Sequence, residues 1–212
     1  MHQFVCIEGN IGTGKTELAK MIAKDFGKKL VLEEFDDNPF LPKFYKQPKT
    51  YAFPLEMSFL AARFNQFKKE ISQADLFQNG WVSDYIFFKC LIFSKINLND
   101  DEYELYTKMF EIINQQLPKP DLLVYLHKPI DKLLYNIKKR NRDYEQSITE
   151  EYLYKIQQGY FDFLYQLPDQ KILMINTEDI DFLSKPGDYE LMLELINKDY
   201  NNGLTIINNI PV

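Results

Sequence analysis

Eight residues near the start of the chain, Gly9-Asn10-Ile11-Gly12-Thr13-Gly14-Lys15-Thr16, have the types and spacing of a phosphate-binding loop, G-x-x-x-x-G-K-[ST]. Glycines let the backbone turn several N–H groups toward one anion. Lys15 can reach the β- and γ-phosphates of a nucleoside triphosphate, and the Thr16 hydroxyl can ligate Mg²⁺. The motif requires a strand before it and a helix after it. The apolar run 4–7 supplies the strand, and 18–23 reads as a helix whose positive N-terminal end adds to anion binding.

Other groups could complete a phosphoryl transfer. Glu33 and Glu34 follow an apolar run, where an unpaired acid would cost the fold. One of the two can face a cleft while its neighbour faces away, and a carboxylate near a γ-phosphate suits a general base for a hydroxyl acceptor. Asp84 closes Trp81-Val82-Ser83-Asp84 as a lone acid suited to Mg²⁺. The cluster Lys138-Lys139-Arg140-Asn141-Arg142 is the densest basic stretch of the chain. Arg140 and Arg142 could neutralise charge on a transferring phosphoryl group from a lid that opens afterwards. The chain has no Asn-Lys-x-Asp guanine-reading motif, and Asp84 is not followed by an acid that would position a hydrolytic water. Both absences weigh against a GTPase switch.

These groups need a scaffold that brings them together. Five short apolar runs, 4–7, 30–32, 81–83, 122–126 and 172–175, alternate with helical patterns over 17–26, 54–71, 86–95 with 101–116, and 130–139 with 150–167. A further helical pattern covers 189–196, and 201–212 carries no readable pattern. The alternation predicts an α/β fold with a five-stranded parallel sheet flanked by helices, organised as one domain, 1–212. Ligands bind beyond the carboxyl ends of such strands, so the phosphate loop, Glu33-Glu34, Asp84 and the region of His127 should converge.

Composition narrows the class. The net charge of −6 and pI of about 5.1 argue against nucleic-acid or anionic-membrane partners, so an anionic ligand needs a local basic cluster. Two cysteines, Cys6 and Cys90, make no disulfide framework. The N-terminus enters a strand directly and no apolar run approaches a membrane span, so a cytoplasmic protein is expected. Aromatic residues make up 15% of the chain; most belong to a core, and some suit a pocket that stacks planar ligands.

From Phe4 to about Phe182 the chain resembles the deoxynucleoside kinase family. The strongest local match is Glu33-Glu34-Phe35-Asp36-Asp37-Asn38-Pro39-Phe40-Leu41-Pro42, continuing through Phe44-Tyr45 to Tyr51-Ala52-Phe53, which is similar to the bacterial purine deoxynucleoside kinases. The resemblance implies ATP and Mg²⁺ as cofactors, a deoxynucleoside acceptor and a homodimer. It implies Glu33 as the base for the sugar 5′-hydroxyl, with Tyr45 and Glu145 on the 3′-hydroxyl and Arg63 beside the nucleobase. Arg140 and Arg142 match the family's lid, about 138–149, and Asp181-Phe182 matches the loop that touches the adenine of ATP. Phe93 is either the ring stacked on the base or a core residue.

Two positions depart from the family pattern. Glu56 stands where a glutamine reads the base. An ionised Glu56, with Arg63 donating, could read adenine or guanine and suits thymine least; alternatively Glu56 pairs with Arg63 and ignores the base. Asp84-Tyr85-Ile86 replaces acid-Arg-Ser, which removes the arginine usually beside the 5′-hydroxyl, and either Lys89 or Cys90 replaces a second base-reading acid. The expected activity is ATP-dependent 5′-phosphorylation of a purine deoxynucleoside, deoxyadenosine first. The alternatives are a nucleoside monophosphate kinase, which the acidic stretch 33–37 disfavours, and a non-catalytic nucleotide-binding regulator.

Overall fold

The apolar runs become strands of one parallel sheet in the computed structural model, which describes residues 2–34, 38–72 and 79–208, the side chains of 71 and 72 excepted. The strands are β1 (Phe4–Gly9), β2 (Lys29–Val31), β3 (Trp81–Ser83), β4 (Leu122–His127), β5 (Lys171–Asn176) and β6 (Gly203–Ile207). They lie in the order β2-β3-β1-β4-β5-β6, every neighbouring pair parallel. The sheet therefore has six strands, not the five expected. The extra strand is β6, from the tail that carried no pattern. It is an edge strand of half-buried and exposed residues, and only pairing of Ile172 with Leu204 and its neighbours defines it.

The helices are α1 (Lys15–Phe26), α2 (Leu41–Lys46), α3 (Pro48–Ser72), α4 (Lys89–Asn97), α5 (Asp100–Asn114), α6 (Ile130–Arg140), α7 (Glu150–Leu164) and α8 (Pro186–Asn197). The short α2 was not expected. Helix α3 begins at Pro48, earlier than the expected start near 54, so Pro54 lies inside it.

Strand β1 divides the core in two by its alternation. Val5 and Ile7 pack with Leu18 and Ile22 of α1 and Met192 and Ile196 of α8. Cys6 lies in the other layer with Tyr125, Ile92 of α4, and Ile156 and Tyr160 of α7. A third cluster joins α3, α4 and α5 through Leu60, Cys90, Tyr106 and Phe110. It fixes the two helices that approach the end of β2. Among the described residues no helix is long and apolar enough to cross a membrane.

Two local devices differ in what they contribute. Asn99 caps α5: its side chain accepts from the Glu102 amide at 3.0 Å, and Glu102 accepts from the Asn99 amide. Gly80 leads into β3 at φ +97°, and a Cβ there would lie 2.0 Å from the Gln3 carbonyl oxygen. Asn99→Ala should cost about 1 kcal/mol. Gly80→Ala should cost about 2–4 kcal/mol, because strain and a backbone clash act together. Urea unfolding of both variants checks this, and equal losses would refute the assignment of Gly80.

Candidate active site

The phosphate loop turns from β1 into α1, and Gly14 makes the turn. It precedes the helix at φ 92° and ψ 10°, a conformation that suits glycine. The loop is held from several sides. The Asn10 amide donates to the Leu153 carbonyl of α7 at 2.8 Å, and the Asn136 amide of α6 donates to the Gly12 carbonyl at 2.8 Å. Thr13 Oγ1 donates to the Asn10 carbonyl at 3.0 Å. Lys15 Nζ lies 3.4 Å from the same carbonyl. Burial, and then the charge of Lys89, push the Lys15 ammonium down to about 8. An arriving polyphosphate opposes that shift.

Beyond the loop, Thr16 Oγ1 donates to Asp84 Oδ2 at 2.5 Å, while Asp84 Oδ1 accepts from the Glu33 amide at 2.7 Å. A hydroxyl and a carboxylate thus stand side by side where β1 and β3 end. Among the described residues no group of three or more His, Cys, Asp or Glu could hold a metal ion. This donor set fits a hard cation that completes its coordination with phosphate oxygens and water, as Mg²⁺ does.

Glu33 faces inward and Glu34 is exposed. Lys89 Nζ donates to Glu33 Oε2 at 2.6 Å, and Arg63 donates to Oε1 through Nε at 3.0 Å and through Nη2. Burial pushes the Glu33 carboxyl up, but the Lys89 and Arg63 charges pull it further down, leaving it well below the ordinary carboxylate range. Glu33 is therefore ionised throughout the physiological range. It can accept a hydrogen bond from a hydroxyl, and it is a weak proton acceptor until that hydroxyl becomes acidic.

Arg63 consequently pairs with Glu33 and not with Glu56, which corrects the alternative in which Glu56 is consumed by Arg63. Its Nη1 donates to Cys90 Sγ at 3.0 Å, and its guanidinium lies 4.8 Å from the centre of the Phe59 ring. Tyr85 is buried away from the cleft and donates to Gln66 Oε1 at 2.6 Å. Lys89, from the next helix, supplies a cation beside Glu33, so the missing arginine does not leave that carboxylate without one.

Glu145 lies in a single 3-10 turn, Asp143–Glu145, directly after the basic cluster. Arg140 donates to its Oε2 through Nε at 3.1 Å and Nη2 at 2.5 Å, and Arg142 Nη1 lies 3.5 Å from Oε1. Tyr45 stacks on Tyr144 at 6.3 Å. Burial, with Tyr152 and Glu145 nearby, keeps the Tyr45 hydroxyl protonated.

At the far end, Asn97 Nδ2 donates to Glu56 Oε1 at 2.7 Å, and Glu56 Oε2 is buried with no hydrogen-bond partner among the described residues. Phe93 lies under Lys89, its ring centre 5.5 Å from Nζ. Phe182 is buried beside Gly14, and the Asp181 side chain accepts from the Ser184 amide at 3.1 Å.

One cavity of about 1220 Å³ collects these groups. Ile11 through Thr16 border it with Glu33, Tyr45, Glu56, Arg63, Asp84, Phe93, Arg140, Arg142, Glu145, Asp181 and Phe182. Gly9 and Asn10 are the expected loop residues that do not line it; Asn10 is buried behind the loop. Of the acidic stretch, residues 35–37 lie outside the described residues.

Sequence reasoning missed two residues. Glu8 is 1% exposed; it accepts from the Gly9 amide at 3.0 Å, the Tyr160 hydroxyl at 2.8 Å and the Ile86 amide at 2.9 Å. An acid inside an apolar run ahead of the loop is the signal that could have found it. Asn97 gave no signal, because its partner lies 41 residues away.

The profile of the deoxynucleoside kinase family matches residues 5–201. The chain belongs to this family. It is 34% identical over 193 residues to the deoxyguanosine kinase of Bacillus subtilis, covering 88% of this chain and 92% of that protein. It is 33% identical over 203 residues to the deoxyadenosine kinase of Dictyostelium discoideum, covering 93% and 79%. The structure of deoxyadenosine kinase from M. mycoides with the products dCMP and dCDP superposes with a TM-score of 0.79 at 25% identity, over 92% of this chain and 98% of that one. The parallel sheet and flanking helices of this deoxynucleoside kinase are thus those of a solved relative.

Glu33→Gln should lower turnover about 10²–10⁴-fold, the range for a positioned acid–base group. It should also lower the melting temperature, because Arg63 and Lys89 lose their counter-charge. Glu34→Gln should be mild on both counts, and the reverse pattern would overturn the assignment of the two acids. Arg140→Ala should lower kcat more than it raises the KM for the acceptor, since the charge faced by a lid arginine develops during transfer. Steady-state kinetics in which only KM changes would make Arg140 a binding residue.

Proposed function

We propose that the chain transfers the γ-phosphate of ATP to the 5′-hydroxyl of a purine deoxynucleoside, deoxyadenosine first, giving the monophosphate. The observation that carries this reading is the Glu33 backbone-to-Asp84 hydrogen bond beside Thr16, which sets an ionised carboxylate next to the phosphate end of the cavity. The acceptor hydroxyl donates to Glu33 and attacks the γ-phosphorus; the bond to the β–γ bridging oxygen breaks, and ADP leaves. The transition state is loose and little proton transfer precedes bond cleavage, so a carboxylate of low basicity suffices to orient the nucleophile and take the proton late. The loop amides and Lys15 hold the phosphates, and Arg140 and Arg142 neutralise charge on the transferring group. Thr16 and Asp84 would hold Mg²⁺, which supplies charge neutralisation at phosphate oxygens when bound. Tyr45 and Glu145 bind the 3′-hydroxyl, Glu56, Arg63 and Phe93 flank the base, and Asp181-Phe182 borders the adenine of ATP.

In this reading the chain is one domain, and 138–149 form its lid. It works as a cytoplasmic homodimer. Free, buried Cys6 and Cys90 suit a reducing compartment. The exposed apolar stripe Leu105, Met109 and Ile112 on α5 suits a contact between copies. Light scattering that finds only monomer would remove the dimer from this reading.

Incubation with labelled ATP and, separately, deoxyadenosine, deoxyguanosine, deoxycytidine, thymidine and their monophosphates tests the function. Labelled deoxynucleoside monophosphates are expected, with deoxyadenosine first in kcat/KM and thymidine last. Label passing only to monophosphates would favour a monophosphate kinase, and label passing to none a regulator.

A further inference from the structure

The base end of the cavity holds a buried carboxylate whose two oxygens are not equivalent. Oε1 of Glu56 is engaged by the Asn97 amide at 2.7 Å, whereas Oε2 is buried and has no hydrogen-bond partner among the described residues. Arg63 could have neutralised it but is committed to Glu33 and Cys90. An orphaned polar atom in a buried site is costly unless a ligand satisfies it. We propose that Asn97 fixes Glu56 so that Oε2 alone reads the exocyclic group of the acceptor's base, accepting from an amino group when ionised and donating to an oxo group when protonated, so that base preference changes with pH. This inference rests on the deoxynucleoside kinase reading.

The amide of Asn97 donates, so Oε1 is kept as an acceptor. A proton taken up by Glu56 therefore resides on Oε2, the oxygen left for the base. The charged and titratable groups around the carboxylate come from every neighbouring element. Arg63 is on the same helix, Lys89 and Cys90 are on α4, Glu33 follows β2, Tyr106 is on α5 and Tyr152 is on α7. Burial outweighs them and pushes the Glu56 carboxyl up to about 7, while the Asn97 hydrogen bond pulls the other way. Below that pH Oε2 carries a proton and is a donor; above it Oε2 is an acceptor. A glutamine at this position offers both an acceptor and a donor at every pH and cannot make the change.

The test compares deoxyadenosine with deoxyinosine, which differ at the exocyclic position in an amino or an oxo group, with Mg²⁺ and ATP saturating. Between pH 6 and 8 the ionised fraction of a group titrating near 7 rises from about 10% to about 90%. The ratio of kcat/KM for deoxyadenosine over deoxyinosine should therefore rise about tenfold or more across that window. In Glu56→Gln, which keeps the shape, the ratio should be flat. In Asn97→Ala the midpoint of the ratio should move to higher pH, because a donor that favours the ionised form is gone; a merely structural role for Asn97 would leave the midpoint in place. A ratio in the unaltered protein that is flat or falls with pH, or a Glu56→Gln ratio that rises equally, overturns the inference while leaving the kinase reading intact. Failure to phosphorylate either nucleoside at any pH overturns both.

Discussion

The site depends on how a carboxylate is kept charged in a place that water scarcely reaches. Glu33 sits between Lys89 and Arg63, both side chains less than a tenth exposed, and its amide is hydrogen-bonded to Asp84. Moving such an ion from water carries a penalty of several kcal/mol, offset only where geometry is good and the lone pairs are used. Here Oε1 takes two donors from one guanidinium and Oε2 takes an ammonium. The arrangement ties the segment after β2 to α3 and α4. Loss of one partner would leave the other charges buried and unmatched. The Glu33 carboxylate is thus a structural joint, and its position is set by helices that belong mainly to the core.

The same logic operates under the phosphate loop. Glu8 is buried in β1, yet both of its oxygens are satisfied: one by the Gly9 amide and the Tyr160 hydroxyl, the other by the Ile86 amide. These bonds connect the strand that launches the loop to α7 and to the turn after β3. Asn10 adds a second tie to α7 through Leu153, and Asn136 ties the loop to α6. A loop with so many fixed neighbours presents its amides without reorganising when an anion arrives, the economy expected of a preorganised electrostatic site. The acidic chain compensates for its net charge of −6 locally, by directing Lys15, Lys89, Arg63, Arg140 and Arg142 into one cavity.

Electrostatic difference between the ends of that cavity has a functional sense. Glu33 is held charged by two cations, whereas Glu56 has an amide on one oxygen and, among the described residues, no hydrogen-bond partner on the other. Two carboxylates some twenty residues apart in sequence are driven in opposite directions by their surroundings. On the proposed reading, that separation of environments lets one pocket anchor a reacting hydroxyl at one end and discriminate a neutral heterocycle at the other.

Residue order alone determined that the chain binds a nucleotide phosphate and that its strands run parallel. Both signals are local: a glycine-rich loop between an apolar run and a helix, and apolar runs separated by helical patterns. Glu33 and Asp84 were legible as strand-end acids for the same reason, and Arg140, Arg142 and Glu145 as a closely spaced group. Tertiary structure alone decided that Lys89 and Arg63 both pair with Glu33, and that Asn97 rather than Arg63 hydrogen-bonds Glu56. It also decided that Gly203–Ile207 pair as a sixth strand. These pairings join residues tens of positions apart, and their sign depends on burial. The attraction within an ion pair is weak in water and strong beside a low-dielectric core, and burial, like the pairing of an edge strand with its neighbour, is a property of the folded chain rather than of any stretch of it.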